Sequence, residues 1–408
     1  MTNTAGAISV GGWQPRPHFI QRVGRAYRLA IESYKGSSIP RWLSFGPRTA
    51  DIHTVLLAAD DRTRALLADP GSSYIFYGMD NLFRDSVALT STYDEALSGQ
   101  ARNCLESLQE LCKAICHHPE TFDLADPEAL LARLDDTLGV RLDFPNPFPG
   151  EAGLHTSRGI VSFRALQAVF QAWRLLDVCK MADGAKVLEI GAGMGRTVYY
   201  ASRVGLTNYT VVDLPATLVG TSCFLAAVLG EDAIWTLGDP PEEQAGRVRL
   251  VPPTWLDDNP ERFDVALNVD SLTELRREEA ERYFFDLQRR VRVLLSINHE
   301  NNWVRVRDIA RILKIDVPTI RSPCTMRHGY FDEIFLFSAC TPVQYASFLL
   351  RMRWLALRPF SIVREMRWQK ALAKLGPLLG SDAGVGDNPQ RTDGAQTQLE
   401  GAPQPRRT

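Results

Sequence analysis

Near the middle of this 408-residue chain, VLEIGAGMGR (residues 187–196) sets Gly191, Gly193 and Gly195 within five positions, directly after an apolar run. A strand that ends in glycine and turns straight into a helix lets a ligand approach the backbone, because no Cβ stands in the way. In an open α/β sheet that ligand lies at the carboxyl edge. A dinucleotide asks for G-x-G-x-x-G, with pyrophosphate at the helix N-terminus. Here the third glycine comes one position early, and Arg196 stands where that pattern needs glycine or alanine. Glu189, two residues before Gly191, adds a carboxylate that suits a cation such as the sulfonium and ammonium of S-adenosylmethionine and opposes pyrophosphate. Asp213, 22 residues after Gly191 at the end of YTVVD, can accept both ribose hydroxyls of either ligand class. The expected cofactor contacts are therefore Glu189, Gly191, Ala192, Gly193, Gly195, Asp213 and Leu214.

A methyl donor needs a nucleophile in line with it. Alignment supplies most of the acceleration, and a positioned base adds on the order of 10²–10⁴-fold. FDVALNVDSLTEL (263–275) places Asn268, Asp270, Ser271 and Glu274 after an apolar run, and LLSINHENN (294–302) does the same for Asn298, His299, Glu300 and Asn301. His299 is the first candidate base, because an ordinary imidazole is mostly neutral at cytoplasmic pH. Asp270 is the second, as base or orienting partner; a helix N-cap and a backbone donor are the plainer roles for the two. Glu300 and Glu274 suit acceptor hydroxyls, Arg327 and His328 in TMRHGY suit an acidic acceptor, and Arg158, with His155, in GLHTSRG could close over either ligand.

The elements that must position these residues alternate. KVLEI, TNYTVVDL, RVRLV, FDVALNV and VRVLLSI read as strands, and TVYYASRV, ATLVGTSCFLAAVLG and RREEAERYFFDLQRR as helices between several of them. That pattern predicts an α/β fold: a Rossmann-like, doubly wound, mostly parallel sheet with a mainly helical N-terminal region. GYFDEIFLFSA (329–339) could add an antiparallel edge strand, and SRGIVSFRALQAVFQAWRLLDVCK (157–180) reads as one long amphipathic helix leading into the sheet. Upstream, YDEALSGQARNCLESLQELCKAICHH (93–118) carries apolar residues at helical spacing, and PEALLARLDDTLG (127–139) follows Asp126 as N-cap, with Pro127 at the first helical position. The three prolines of LDFPNPFPG (142–150) suggest a junction. Residues 1–150 are then a helical region covering the acceptor site, 151–340 the α/β domain, 341–376 a basic amphipathic helix and 377–408 a disordered tail.

A net charge of -2 gives no global reason to expect nucleic acid as a partner. The chain lacks both a secretory h-region and about 18 consecutive uncharged apolar residues, and its seven scattered cysteines suit reduced thiols. All three point to the cytoplasm. CKAICHH (112–118) has no second cluster at zinc-ligand spacing, so no metal site is expected; Mg²⁺ held by Asp270 and neighbouring carboxylates is compatible without being indicated. The arginines of 341–376 suit peripheral contact with an anionic membrane, or a helix packed on its own domain with its arginine stems spread over the surface.

The E-x-G-x-G-x-G stretch with its later acidic strand end resembles the class I S-adenosylmethionine-dependent methyltransferases. LLADPGSSYIFYGMDNL (66–82), FDVALNVDSLTEL, LLSINHEN and TMRHGYFDEIF further resemble a bacterial family of sugar O-methyltransferases, over roughly residues 60–340. The resemblance implies methyl transfer from S-adenosylmethionine to a sugar hydroxyl, with a carbohydrate or glycosylated small molecule as partner. A non-sugar acceptor and a non-catalytic cofactor-binding scaffold remain as other readings; Glu189 and Arg196 disfavour an NAD-dependent oxidoreductase.

Overall fold

The computed structural model describes residues 12–34, 47–70, 93–116, 121 and 123–338. The segments 341–376 and 377–408, with the proposed membrane contact, lie outside the described residues, as do His117 and His118.

Among the described residues the chain begins with helices α1 (Pro17–Glu32), α2 (Pro47–Ala58), α3 (Asp61–Ala68), α4 (Tyr93–Ile115) and α5 (Pro127–Leu138). Pro17 presets the helical φ of α1, which buries Phe19, Ile20, Val23 and Tyr27 along one face. Asp126 caps α5 by accepting the amide of Glu128 at 2.9 Å, and Gly139, at φ 69°, ends it. Cys112 and Cys116 donate their thiols to the carbonyls of Leu130 and Arg133, so both face α5.

The long helix expected from residue 157 starts later. A hairpin comes first, β1 (Leu154–Thr156) with β2 (Gly159–Val161), and α6 (Phe163–Ala182) begins where Ser162 accepts the amide of Ala165 at 3.3 Å. Gly159 explains the difference: its φ is 110°, and a Cβ there would lie 2.0 Å from the carbonyl oxygen of Phe144. The chain then runs β3 (Val187–Ile190), α7 (Arg196–Arg203), β4 (Tyr209–Val212), α8 (Pro215–Leu229), β5 (Ile234–Thr236), β6 (Val248–Val251), α9 (Thr254–Asp258), β7 (Phe263–Val269), α10 (Ser271–Glu274), α11 (Arg277–Arg290), β8 (Val291–His299), α12 (Val306–Ile312), β9 (Thr319–Pro323) and β10 (Tyr330–Leu336).

The eight-stranded sheet has the order β5-β6-β4-β3-β7-β8-β10-β9 and is parallel except for β10, which runs antiparallel to both neighbours. Its centre, β6-β4-β3-β7-β8, has the 3-2-1-4-5 order of a doubly wound fold, whose crevice opens where the winding reverses, between β3 and β7. GYFDEIFLFSA does form an antiparallel strand, but β9 lies outside it and is the edge. One core joins α6, α7 and α8 to Val187, Val211 and Val265; the other joins α11 and α12 to Leu188, Ala266 and Leu294. The first also contains Leu108, Leu130 and Phe144, so packing continues across the proline-rich stretch 142–150. Helix α1 is fixed to the sheet layer by Arg22, which meets Asp239 at 2.7 Å and the carbonyls of Glu231 and Ile234 at 2.8 and 2.6 Å. Among the described residues no helix is long and apolar enough to cross a membrane.

Candidate functional site

The glycine turn leaves β3 with Gly191, Gly193 and Gly195 at φ 80°, 57° and 82°, a region that costs an L-residue roughly 1–2 kcal/mol. Gly191 is needed twice over, because a Cβ on it would lie 2.3 Å from that of Ser271. Ser271 is fixed there by donating to the carbonyl of Ile190 at 2.7 Å and accepting from Asn268 at 2.5 Å. Asn268 in turn accepts from Asn298 at 2.9 Å, and Asn298 accepts from Thr273 at 3.0 Å. This buried chain ties together the carboxyl ends of β3, β7 and β8, so Asn268 and Asn298 form the floor of the site.

Two acids stand beside the turn. Asp213 accepts the amide of Gly193 at 3.0 Å through one carboxylate oxygen and that of Leu214 at 2.7 Å through the other. Burial nevertheless pushes its carboxyl up to about 6. Glu189 does not open onto the mouth: it is 2% exposed and accepts the phenol of Tyr209 at 2.9 Å. Burial pushes it up to about 8, against the Tyr209 hydrogen bond and with help from Asp213. Arg196 turns to Glu151, at 2.5 Å, and lies over the ring of Phe224. Ala192 packs against the core at the turn.

Past β7, Asp270 adopts φ 64° and accepts from Arg327 at 2.6 Å. The Arg327 guanidinium also hydrogen-bonds the phenol of Tyr330 and stacks 3.4 Å above its ring centroid. Tyr330 meets His299 edge to face at 5.0 Å, its partner in the β8–β10 register. His299 accepts the amide of Asn301 through Nδ1 at 3.1 Å; a neutral ring in that arrangement carries its proton on Nε2. Burial, then Arg327, lowers its pKa. Glu274 stands at the rim, its carboxyl raised by partial burial and by the field of Asp270. His328, next to Arg327, is exposed.

Asp270, His299, Arg327 and Glu274 thus converge from three separate stretches. Two other candidates are engaged elsewhere. Glu300 accepts from Arg305, Arg307 and Arg321, and so is tied up among arginines. Arg158 holds the β1–β2 hairpin to α5 through Asp135 at 2.6 Å and the carbonyl of Leu142 at 3.3 Å. Sequence reading passed over Tyr330, whose role emerges only from strand register, and Trp303, which is 99% exposed on the loop after His299. Among the described residues no group of three or more His, Cys, Asp or Glu side chains is placed to hold a metal ion.

No family model matches the chain, and no curated protein does. Solved structures similar to it include the methyltransferase domain of bacterial CtHen1, 13% identical over 41% of this chain and 97% of that one, with a TM-score of 0.31. An O-methyltransferase from Bacillus cereus in complex with SAH is 14% identical over 42% and 80%, with a TM-score of 0.29. Magnesium protoporphyrin IX methyltransferase from Synechocystis with bound SAM is 14% identical over 43% and 80%, with a TM-score of 0.30. Each overlap covers less than half of this chain, and none identifies its reaction.

Proposed function

We propose that this protein is an S-adenosylmethionine-dependent O-methyltransferase that methylates a hydroxyl of a sugar or glycosylated small molecule. The observation that carries the cofactor reading is the bond from Gly193 to Asp213. The amide that a pyrophosphate would need is already given to the carboxylate of Asp213, while Glu189, behind the same turn and pushed up to about 8 by burial, gains its charge when a cation draws the proton off. An anion is repelled from such a cradle and a cation is drawn to it. The half-buried carboxylate of Asp213 and the turn of Gly193 and Gly195 fit an adenosine bearing a cationic sulfur. When bound, that sulfonium supplies an electrophilic methyl group.

The acceptor lies over the carboxyl ends of β7 and β8. Asp270 is the group that receives the acceptor proton, because the lone pair on Nδ1 of His299 is engaged by Asn301. His299 holds the acceptor oxygen by donating from Nε2, and Arg327 and Tyr330 lock the Asp270 carboxylate in place. A sugar is favoured over a flat apolar acceptor by the polar rim of Glu274, His299 and Asp270, with the exposed indole of Trp303 offering a face for the ring C–H groups. In this reading the helices of residues 1–150 cover the acceptor side of the 151–340 domain, and buried cysteines held as thiols suit a cytoplasmic enzyme. The test is transfer of labelled methyl from S-adenosylmethionine to nucleotide sugars and oligosaccharides. Label on a sugar hydroxyl supports the acceptor assignment; turnover confined to non-sugar metabolites removes it and leaves the cofactor reading standing.

A further inference from the structure

Helix α1 reaches the opposite end of the same edge. Ser33, just past α1, shares a hydrogen bond with Thr254 at 2.6 Å, and Thr254 opens α9 just after β6 ends at Val251. Val251 pairs with Val212 in the β6–β4 register, and its carbonyl accepts the amide of Asp213 at 3.3 Å. The turn carrying Ser33 and Tyr34 is therefore pinned over the strand ends beside Asp213, on the far side of the sheet from Asp270.

Tyr34 is 5% exposed there. A second phenol, Tyr283 of α11, shares its surroundings: burial raises both, and Asp213, Asp257 and Arg282 act on each. The support is rigid, since α1 is anchored through Arg22 to Asp239, which also accepts the amide of Thr236 at 2.8 Å. A nucleoside with its ribose at Asp213 and its reactive group toward Asp270 must direct its base toward β6. That is the corner where Ser33, beside Tyr34, is held by Thr254.

Building on the cofactor reading above, we propose that Tyr34, brought by the N-terminal helix, walls the base end of the cofactor site and contacts the adenine. The helical region then contributes to cofactor affinity as well as to the acceptor side. Stacking between a base and an aromatic ring is strong enough that losing one face weakens binding by about 10-fold or more.

The experiment is calorimetric titration of the full chain with S-adenosylhomocysteine and with S-ribosylhomocysteine, the same molecule without the adenine. Tyr34→Ala is expected to weaken S-adenosylhomocysteine about 10-fold or more while leaving S-ribosylhomocysteine nearly unchanged, and Tyr34→Phe to stay close to the wild type. Tyr34→Leu, which keeps the bulk and loses the aromatic face, gives the same comparison should the alanine variant fail to fold. Equal losses for both ligands make Tyr34 a structural residue and overturn the proposal, as does an unchanged affinity for S-adenosylhomocysteine. A wild-type protein that binds neither ligand overturns the cofactor reading itself, and Tyr34 with it.

Discussion

Asp213 and Gly193 meet at 3.0 Å, the carboxylate that ends one strand accepting the amide at the centre of the turn that ends its neighbour. The acid therefore does two things at once: it fixes the glycine turn through its amide, and it places a carboxyl group beside that turn. Replacing Asp213 by alanine removes both. S-adenosylhomocysteine affinity is expected to fall at least about 10-fold, with a loss of stability of roughly 1–3 kcal/mol from the amides left without their acceptor. Calorimetry and urea denaturation read the two effects separately; unchanged affinity would remove Asp213 from the cofactor site.

Glu189 gives a pH dependence of definite sign. Its folded-state pKa, pushed up to about 8, lies above the 4.5 of an ordinary glutamate, so the folded chain holds a proton that the unfolded chain has released between those values. This position's contribution to stability falls as pH rises through that window, by up to about 1.4 kcal/mol per pH unit, and is level above it. Glu189→Gln removes that slope and is expected to gain on the wild type between about pH 5.5 and about pH 7.5 in urea denaturation. A cation bound nearby favours the ionised form, so cofactor binding below about pH 8 releases a proton. Titrations in buffers of different ionisation enthalpy detect that release; in Glu189→Gln it should shrink.

Gly191 and Gly205 separate backbone strain from steric conflict. Both have positive φ, 80° and 94°, but a Cβ at Gly205 meets nothing within 4 Å, whereas at Gly191 it meets Ser271 at 2.3 Å. Gly205→Ala should cost roughly 1–2 kcal/mol and leave cofactor affinity intact. Gly191→Ala should cost roughly 2–4 kcal/mol and abolish binding, because Ser271 and the amide chain behind it must move. Equal costs for the two would show that Ser271 yields freely.

On any acceptor the wild type methylates, Asp270→Asn is expected to lower kcat on the order of 10²-fold with S-adenosylhomocysteine affinity unchanged. Asparagine keeps the shape of the aspartate and can still accept from Arg327 through its amide oxygen, so this change isolates the proton acceptor. His299→Ala should act mainly on the acceptor KM, because its ring donates to the acceptor oxygen in this account. A larger kcat loss in His299→Ala than in Asp270→Asn would reverse the two roles.

The parts of this molecule that were legible in the sequence are those whose cause is local. β3, β4, β6, β7 and β8 are runs of Val, Leu and Ile buried on both faces, and the glycine turn advertises itself by spacing. β5, IWT, is three residues long, and β9, TIRSP, is mostly polar and ends in proline; neither has a periodic signal. The hairpin at 154–161 was hidden because its apolar residues run into those of α6. At the site, the alternation of VLEI does not tell which face of β3 other elements cover, so the burial of Glu189 against Tyr209 was not readable. Tyr330 reaches His299 only through antiparallel register, and the arginines around Glu300 and the aspartate holding Arg158 are remote in sequence or belong to other elements. Long-range partners decided these roles.

An acid-lined glycine cradle should select a cationic adenosine over a dinucleotide. Calorimetric titration of the purified protein with S-adenosylmethionine and with NAD distinguishes the two. Saturable 1:1 heat is expected with S-adenosylmethionine, weakened at least about 10-fold in Asp213→Ala, and none with NAD. Binding of NAD with no heat from S-adenosylmethionine would overturn the cofactor assignment.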